Sequence, residues 1–403
     1  MRIGIMTFYN WLNFGANLQG VSTYLYLKKH GHTPIFINYK SEKNYAIWKS
    51  HQDNPQLKTH LAFVNKYIEN QTEFCHNAEQ LLEVVKRHQI EAIIIGSDAV
   101  LQHHPLISRF KLSKKYGIGL KRYLEEQRFP NLFWGVGFAD KTPCAMMSVS
   151  SQNSEYQYIG YLTKRKMRNA LSLFRYISVR DTWTQQMVKC ISGRDVPVTP
   201  DPVFAFNSNA PELIKSREEI LEKYQLPEKY VLVCLKSQSL PITMLDELKE
   251  SFAKGSMSCV AFPVPTGVKF NHHFDYEIGL PLPPDDWFAL IKYASAYVGS
   301  NMHPIVVSLH NAVPCVSIDN WGRTNFFGKK IDDGSSKVEH IMREFGVADC
   351  HKMINGDMCN VKADEVVKLV ESFPIEHVKG HALEMTERYN QMMQDTLKSI
   401  CLK

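Results

Sequence analysis

The segment Tyr297-Val298-Gly299-Ser300-Asn301-Met302-His303-Pro304 constrains the fold of this chain more than any other. An apolar run ends in small polar residues and one histidine. Ile305, Val306, Leu309 and Val313 then recur at helical spacing, and Pro314-Cys315-Val316-Ser317-Ile318 reads as the next strand. Strand, helix and strand in that order predict a unit of an α/β sheet, with His303 at a strand's carboxyl end and a helix's amino end. Open α/β sheets bind ligands in that crevice, and free N–H groups at a helix start favour anions such as phosphate or carboxylate. The competing structural role for His303 is to cap the helix or to satisfy a buried carbonyl.

The same rhythm extends both ways. Strand Arg2 to Phe8, helix Asn17 to His30, strand Pro34 to Tyr39, strand Glu91 to Gly96 and a strand near Leu132 to Val136 predict parallel βαβ units. A helix over Tyr161 to Phe174, strand Tyr176 to Val179 and a helix to about Cys190 follow. Val198 to Pro202 and Asn207 to Pro211 are rich in turn formers and read as a linker. Beyond it come a helix near Pro211 to Tyr224, strand Tyr230 to Leu235, helix Ile242 to Ala253, strand Cys259 to Phe262 and a helix opening at Asp285-Asp286-Trp287. The expected fold is therefore α/β, with two Rossmann-like doubly wound domains facing a cleft. Residues 1–205 form the first, 206–375 the second, and 376–403 a C-terminal helix that packs back on the first.

At 403 residues the chain exceeds what one core usually fills, which agrees with two domains. An apolar share of 44% beside a charged share of 22% suits a globular enzyme, and no run is long enough for a membrane span. The opening MRIGIMTF lacks the features of a secretory signal, so a cytoplasmic location is expected. The nine cysteines are scattered without a C-x-x-C pair and read as reduced core thiols. The net charge of +6 is modest, and segments such as Lys164 to Arg168 read as solvated helix faces, so no nucleic-acid partner is expected. Mild basicity favours acidic small substrates or an anionic membrane surface.

Several polar strand ends can carry chemistry. Asn13, Gly15 and Asn17 sit in a loop without the order G-x-G-x-x-G, which argues against a standard NAD site but leaves room for a phosphate or sugar hydroxyl. Ser97 and Asp98 end a buried strand; they can bind a sugar or simply cap the following turn. His103 and His104 follow in a loop, and His103 can reach the cleft, but adjacent histidines make a poor metal pair. Arg180 can bind phosphate or carboxylate in bidentate fashion, or pair with Asp181 or Asp201. Ser300 and Asn301 flank His303. No convincing ligand cluster exists, so no metal or other cofactor is expected.

Taken in order, Gly4 to Phe8 with Asn13-Phe14-Gly15-Ala16-Asn17-Leu18-Gln19, then Ile95-Gly96-Ser97-Asp98, Ile177 to Asp181, Asp201-Pro202 and Val298 to His303 resemble the polysaccharide pyruvyl transferase family. The resemblance implies a glycosyltransferase-B-like pair of domains, with the acceptor on the first and the donor on the second. It implies transfer of pyruvate from phosphoenolpyruvate, the donor substrate, to a sugar or lipid-linked oligosaccharide of a surface or capsular polysaccharide, usually as a cyclic ketal. It makes His303 the proton donor or phosphate partner, Arg180 the ligand of the donor's anionic groups and Asp98 an acceptor contact. This chain departs from the family in two places. Asn301 stands where many members carry arginine, and Leu101-Gln102 replaces the usual tryptophan-asparagine pair. A nucleotide-sugar glycosyltransferase, with Glu277 and Asp285 as available acids, and a non-catalytic partner of polysaccharide assembly are the alternatives. For a membrane-bound acceptor, the basic and apolar C-terminal helix is the candidate for peripheral contact at the inner face.

Overall fold

The computed structural model describes residues 1–113, 117–327, 329–331, 333–354 and 359–401. Six parallel strands form the first sheet: β1 (Arg2–Met6), β2 (Thr33–Tyr39), β3 (Gln71–Cys75), β4 (Ala92–Asp98) and, beyond an antiparallel hairpin of β5 (Phe110–Ser113) and β6 (Gly117–Leu120), β7 (Cys144–Val149) and β8 (Tyr176–Val179). The second sheet repeats the plan with β9 (Tyr230–Cys234), β10 (Ser258–Ala261), β11 (Tyr276–Glu277), β12 (Ala296–Gly299), β13 (Cys315–Asp319) and β14 (His351–Met353). Strands β4, β7 and β9 are buried along their whole length, as expected of strands covered on both faces by helices.

Both sheets have the same order, β3-β2-β1-β4-β7-β8 and β11-β10-β9-β12-β13-β14. In each, the chain starts in the middle, runs to one edge and then crosses to fill the other side. Gly4 of β1 stands opposite Ile35 on one side and Ile93 on the other, and Tyr297 of β12 lies between Leu232 and Cys315. The direction of winding reverses between β1 and β4 and between β9 and β12. Those two switch points are where a doubly wound sheet opens a crevice at its carboxyl edge.

Four local features differ from expectation. Leu132–Trp134 is a single 3-10 turn, because the Asn131 side chain accepts from the Phe133 N–H and Gly135 stops the turn at φ 72°. The strand in that part of the sheet is β7, further along. The expected linker is a packed strap. Pro202–Ala205 and Phe206–Asn209 are short helices whose Val203, Phe204, Ala205 and Phe206 are buried. The helix expected over Asn17 to His30 starts earlier, at Phe14, so Gly15 lies in its first turn. Strands β3, β11 and β14 and the β5–β6 hairpin were not anticipated, being short or partly polar.

The helix Ile375–Cys401 buries Val378, Met385, Tyr389, Met392 and Met393, and returns to the first half. Its Thr386 hydroxyl donates to the Phe204 carbonyl (2.8 Å), Arg388 donates to the Val198 carbonyl (3.0 Å), and Tyr389 packs edge-on against Tyr26. Leu402 and Lys403, the last residues of that expected segment, lie outside the described residues. No described helix is long and apolar enough to cross a membrane.

Candidate functional site

The two switch points face one another across a cleft of about 660 Å³. From the first half, Asn13 and Gly15 reach it after β1 and Asp98 at the end of β4; from the second, Lys236 after β9 and Asn301 and His303 after β12. Phe14 and Trp287, one from each half, stack at 5.0 Å with rings 4° apart and close one wall. The Gln56 side chain fastens the halves nearby, donating to the Leu282 carbonyl and accepting its N–H, both at 2.7 Å.

His303 lies in the first turn of the helix Met302–His310, its ring flat against the backbone of Gly15. A Cβ on Gly15 would sit 2.0 Å from Cγ and 2.4 Å from Nδ1 of that ring, so only glycine admits the histidine. Burial brings the pKa of His303 down to about 4; Asp201 opposes the shift and Arg180 adds to it. The imidazole is therefore neutral at pH 7. Its Nε2 is 3.9 Å from Asp201 Oδ2, too far for a hydrogen bond, and has no hydrogen-bond partner among the described residues.

Beneath the histidine lies a buried ion cluster. Arg180 Nη1 donates to Asp201 Oδ2 at 2.6 Å, and Nη2 is 3.8 Å from Asp98 Oδ1. Burial works against the guanidinium charge, but Asp201 and then Asp98 outweigh it. On the other side of the cleft, the Asp319 carboxylate receives the Lys236 ammonium (3.0 Å) and the Asn301 backbone N–H (2.6 Å). Lys236 and Lys337 each place their ammonium 4.3 Å from the ring centre of Trp321, a cation–π pair on one indole. Lys337 makes no ion pair among the described residues, and burial, followed by repulsion from Arg180, lowers its pKa to about 8. Asp98 at φ 100° and Asn301 at φ 83° are non-glycine residues in the left-handed region, one on each facing edge. Such backbone persists only where the surroundings hold it, and it gathers at functional sites.

A sequence model of the family described as polysaccharide pyruvyl transferase matches residues 13–322, a span that holds Asn13, Gly15, Asp98, Arg180, Asp201, Lys236, Asn301, His303, Asp319 and Trp321 but not Lys337. The chain belongs to the polysaccharide pyruvyl transferase family. No curated protein matches it. Among solved structures, UDP-bound MnaA of S. aureus superposes with a TM-score of 0.54 at 11% identity, over 100% of this chain and 99% of the other. The UDP-GlcNAc 2-epimerase of Neisseria meningitidis bound to UDP-GlcNAc gives 0.53 at 10% identity, over 99% and 100%. That of Methanocaldococcus jannaschii gives 0.53 at 9%, over 98% and 100%. Identities this low speak for the fold alone, which is the glycosyltransferase-B-like pairing of two Rossmann-type sheets.

In this pyruvyl transferase family member, Asn13, Gly15, Asp98, Asn301 and His303 line the cleft together. Asn13 also caps its helix, accepting the Ala16 N–H. The other five predicted residues lie behind the surface. Arg180 is enclosed and bonded to Asp201, and it meets the cleft through its other neighbour, Asp98. Asn17 holds the preceding loop, accepting from Asn10 N–H and donating to the Trp11 carbonyl. Ser97 and Ser300 each donate to a backbone carbonyl of the neighbouring strand, Ser148 and Ile318. His103 accepts the Phe129 N–H, and burial takes its pKa to about 4. Among the described residues no three His, Cys, Asp or Glu side chains meet as a metal-ligand set.

Lys236, Asp319, Trp321, Lys337 and Lys40 are site residues that the sequence reading passed over. Lys236 and Asp319 had the same signal as Asp98, a polar side chain at the end of an apolar strand. Lys40 follows β2 in the same way and is almost wholly enclosed; burial brings it to about 8, with Glu126 opposing. Lys337 had no such signal, since it opens a helix at a distance from any strand end.

Proposed function

We propose that this chain transfers pyruvate from phosphoenolpyruvate to two hydroxyls of one sugar in a surface or capsular polysaccharide precursor, forming a cyclic ketal. The observation that carries this reading is the neutral His303 lining one cleft with the ammonium groups of Lys236 and Lys337. Phosphoenolpyruvate brings a phosphate and a carboxylate, which ask for cations and N–H donors; the start of the helix Met302–His310 adds the latter. Lys337 supplies a positive charge in the same cleft, close enough to act on His303, whereas Asn301 stands where many family members carry arginine. Arg180 acts at one remove, holding Asp201 and Asp98 in place.

In the reaction, a proton adds to the methylene carbon of phosphoenolpyruvate while a sugar hydroxyl attacks the neighbouring carbon and gives up its own proton. The C–O bond to phosphate then breaks, a second hydroxyl attacks the same carbon, and its proton leaves with the phosphate. The sum is one ketal and one inorganic phosphate. Held neutral in the free protein, the His303 ring is in the form that can take a hydroxyl proton, and we assign it as the base toward the acceptor. The ammonium groups stabilise the departing phosphate.

The test is thermal unfolding with phosphoenolpyruvate and with UDP-GlcNAc, for the natural chain and Lys337→Met. A rise with phosphoenolpyruvate that Lys337→Met diminishes at equal ligand concentration is the expected result. A rise with the nucleotide sugar alone overturns the proposal in favour of nucleotide-sugar chemistry, the competing reading because two solved structures of like fold hold UDP or UDP-GlcNAc. No rise with either favours a binding partner of polysaccharide assembly.

A further inference from the structure

We propose that the β5–β6 hairpin, at the rim of the cleft, docks on an anionic lipid bilayer. Between Leu106 and Leu124 the sequence holds six Lys or Arg residues and no Asp or Glu. In the same stretch Leu106 is 60% exposed, Ile107 68%, Phe110 43% and Leu120 44%, while Lys121 and Arg122 are exposed beside them. Exposed apolar side chains with exposed cations beside them in a stretch free of acids complement a surface that is apolar within and negative at its face.

The root of the hairpin is firmly held. The His104 ring stacks on Tyr123 with centres 3.9 Å apart, and its Nδ1 lies 3.0 Å from Glu155, which also accepts from the Ser108 hydroxyl. Arg109 and Lys121 pair through their backbones across the base. The apolar side chains thus stand out from a fixed root. Gln102 just before the hairpin, and Leu124 and Gln127 just after it, line the cleft, so a surface that held the hairpin would lie at the cleft mouth. From the second half, the segment after the cleft residue Trp321 carries Phe326 and Phe327, 43% and 71% exposed. The C-terminal helix, expected to make this contact, covers its apolar face against the protein itself. That the docked cleft receives a lipid-linked acceptor rests on the transferase reading; the docking does not.

The full chain is floated with phosphatidylcholine vesicles and with vesicles in which about one third of the lipid is phosphatidylglycerol. Binding to the anionic vesicles only is expected, weakening as salt rises. Leu106→Ser with Ile107→Ser, and separately Lys121→Glu with Arg122→Glu, should each weaken it about tenfold or more without lowering the melting temperature. Equal binding to both vesicle types, insensitivity to both double variants, or loss of a solution dimer in the variants overturns the proposal, the last by assigning the surface to a second copy. Thermal response to phosphoenolpyruvate is read on the same samples. Its absence with vesicle binding intact sinks the transferase reading alone, and its presence without vesicle binding sinks the docking alone.

Discussion

The facing edges of the two sheets share one topology and differ in charge. In each half the fourth strand in chain order leads to a non-glycine residue held at positive φ, Asp98 as the last residue of β4 and Asn301 two residues beyond β12. Before Asp98, Gly96 at φ 111° comes so near the next strand that a Cβ there would be 2.3 Å from the Met147 carbonyl oxygen. Around that edge the first half offers the Asp98 carboxylate, amides such as Asn13 and Gln102, the aromatic Phe8 and Trp11, and a single enclosed ammonium, Lys40. Around the other, the second half offers Lys236, Lys337 and the neutral His303. Carboxylate, amide and aromatic surfaces suit a hydroxyl-rich sugar, and ammonium groups at a helix start suit an anionic donor. Repeated topology provides two crevices, and under the proposed function the side chains at their mouths would divide acceptor from donor.

The largest effect is expected from His303→Gln, which removes the base at the donor edge. Ketal formation should fall by about 10²- to 10⁴-fold, read from phosphate release at saturating substrates. Next, Arg180→Met leaves Asp201 and Asp98 enclosed without their cation. It should cost about 3–5 kcal/mol in urea unfolding, since breaking one member of a buried pair strands the other. A loss below about 1 kcal/mol would show that the aspartates do not depend on it. Gly15→Ala joins the two edges, because its methyl meets the imidazole carried by the other half. The rate should fall about 10²-fold as His303 is displaced, with substrate-free folding retained; unchanged activity would separate the edges.

The smallest expected effect comes from Lys337, whose loss in Lys337→Met should weaken phosphoenolpyruvate binding about tenfold or somewhat more, as for one charge-assisted hydrogen bond. Its pKa near 8 in the free protein also sets a pH dependence. The ammonium is the binding form, so affinity should be steady below pH 8 and decline above it, by at most about tenfold per unit. Calorimetric titration of the variant should show no such decline. A matching decline in both proteins would move the titrating group to Lys40, also near 8, across the cleft.

The apolar runs ending in small polar residues made the doubly wound fold legible, because a strand buried on both faces cannot hide its composition. They also placed Gly15, Asp98 and His303 at the crevice, since a strand's carboxyl end in a parallel sheet is fixed by chain direction alone. Ser97 and Ser300 carried the same local signal yet bond to neighbouring strands, because successive residues of a strand point to opposite faces and the turn beyond decides which reaches the cleft. Leu132 to Val136 reads as a strand by composition but coils under its Asn131 cap, a local contest that composition does not register.

From the sequence alone came the fold class, the family motifs and the strand ends that carry chemistry, all set by local periodicity and chain direction. The closing of Gly15 on His303, the withdrawal of Arg180 into an ion pair and the arrival of Lys337 over Trp321 at the cleft were decided only by the tertiary structure. Each joins residues far apart in the chain, and no local pattern encodes the distance between two sheets once they fold against each other.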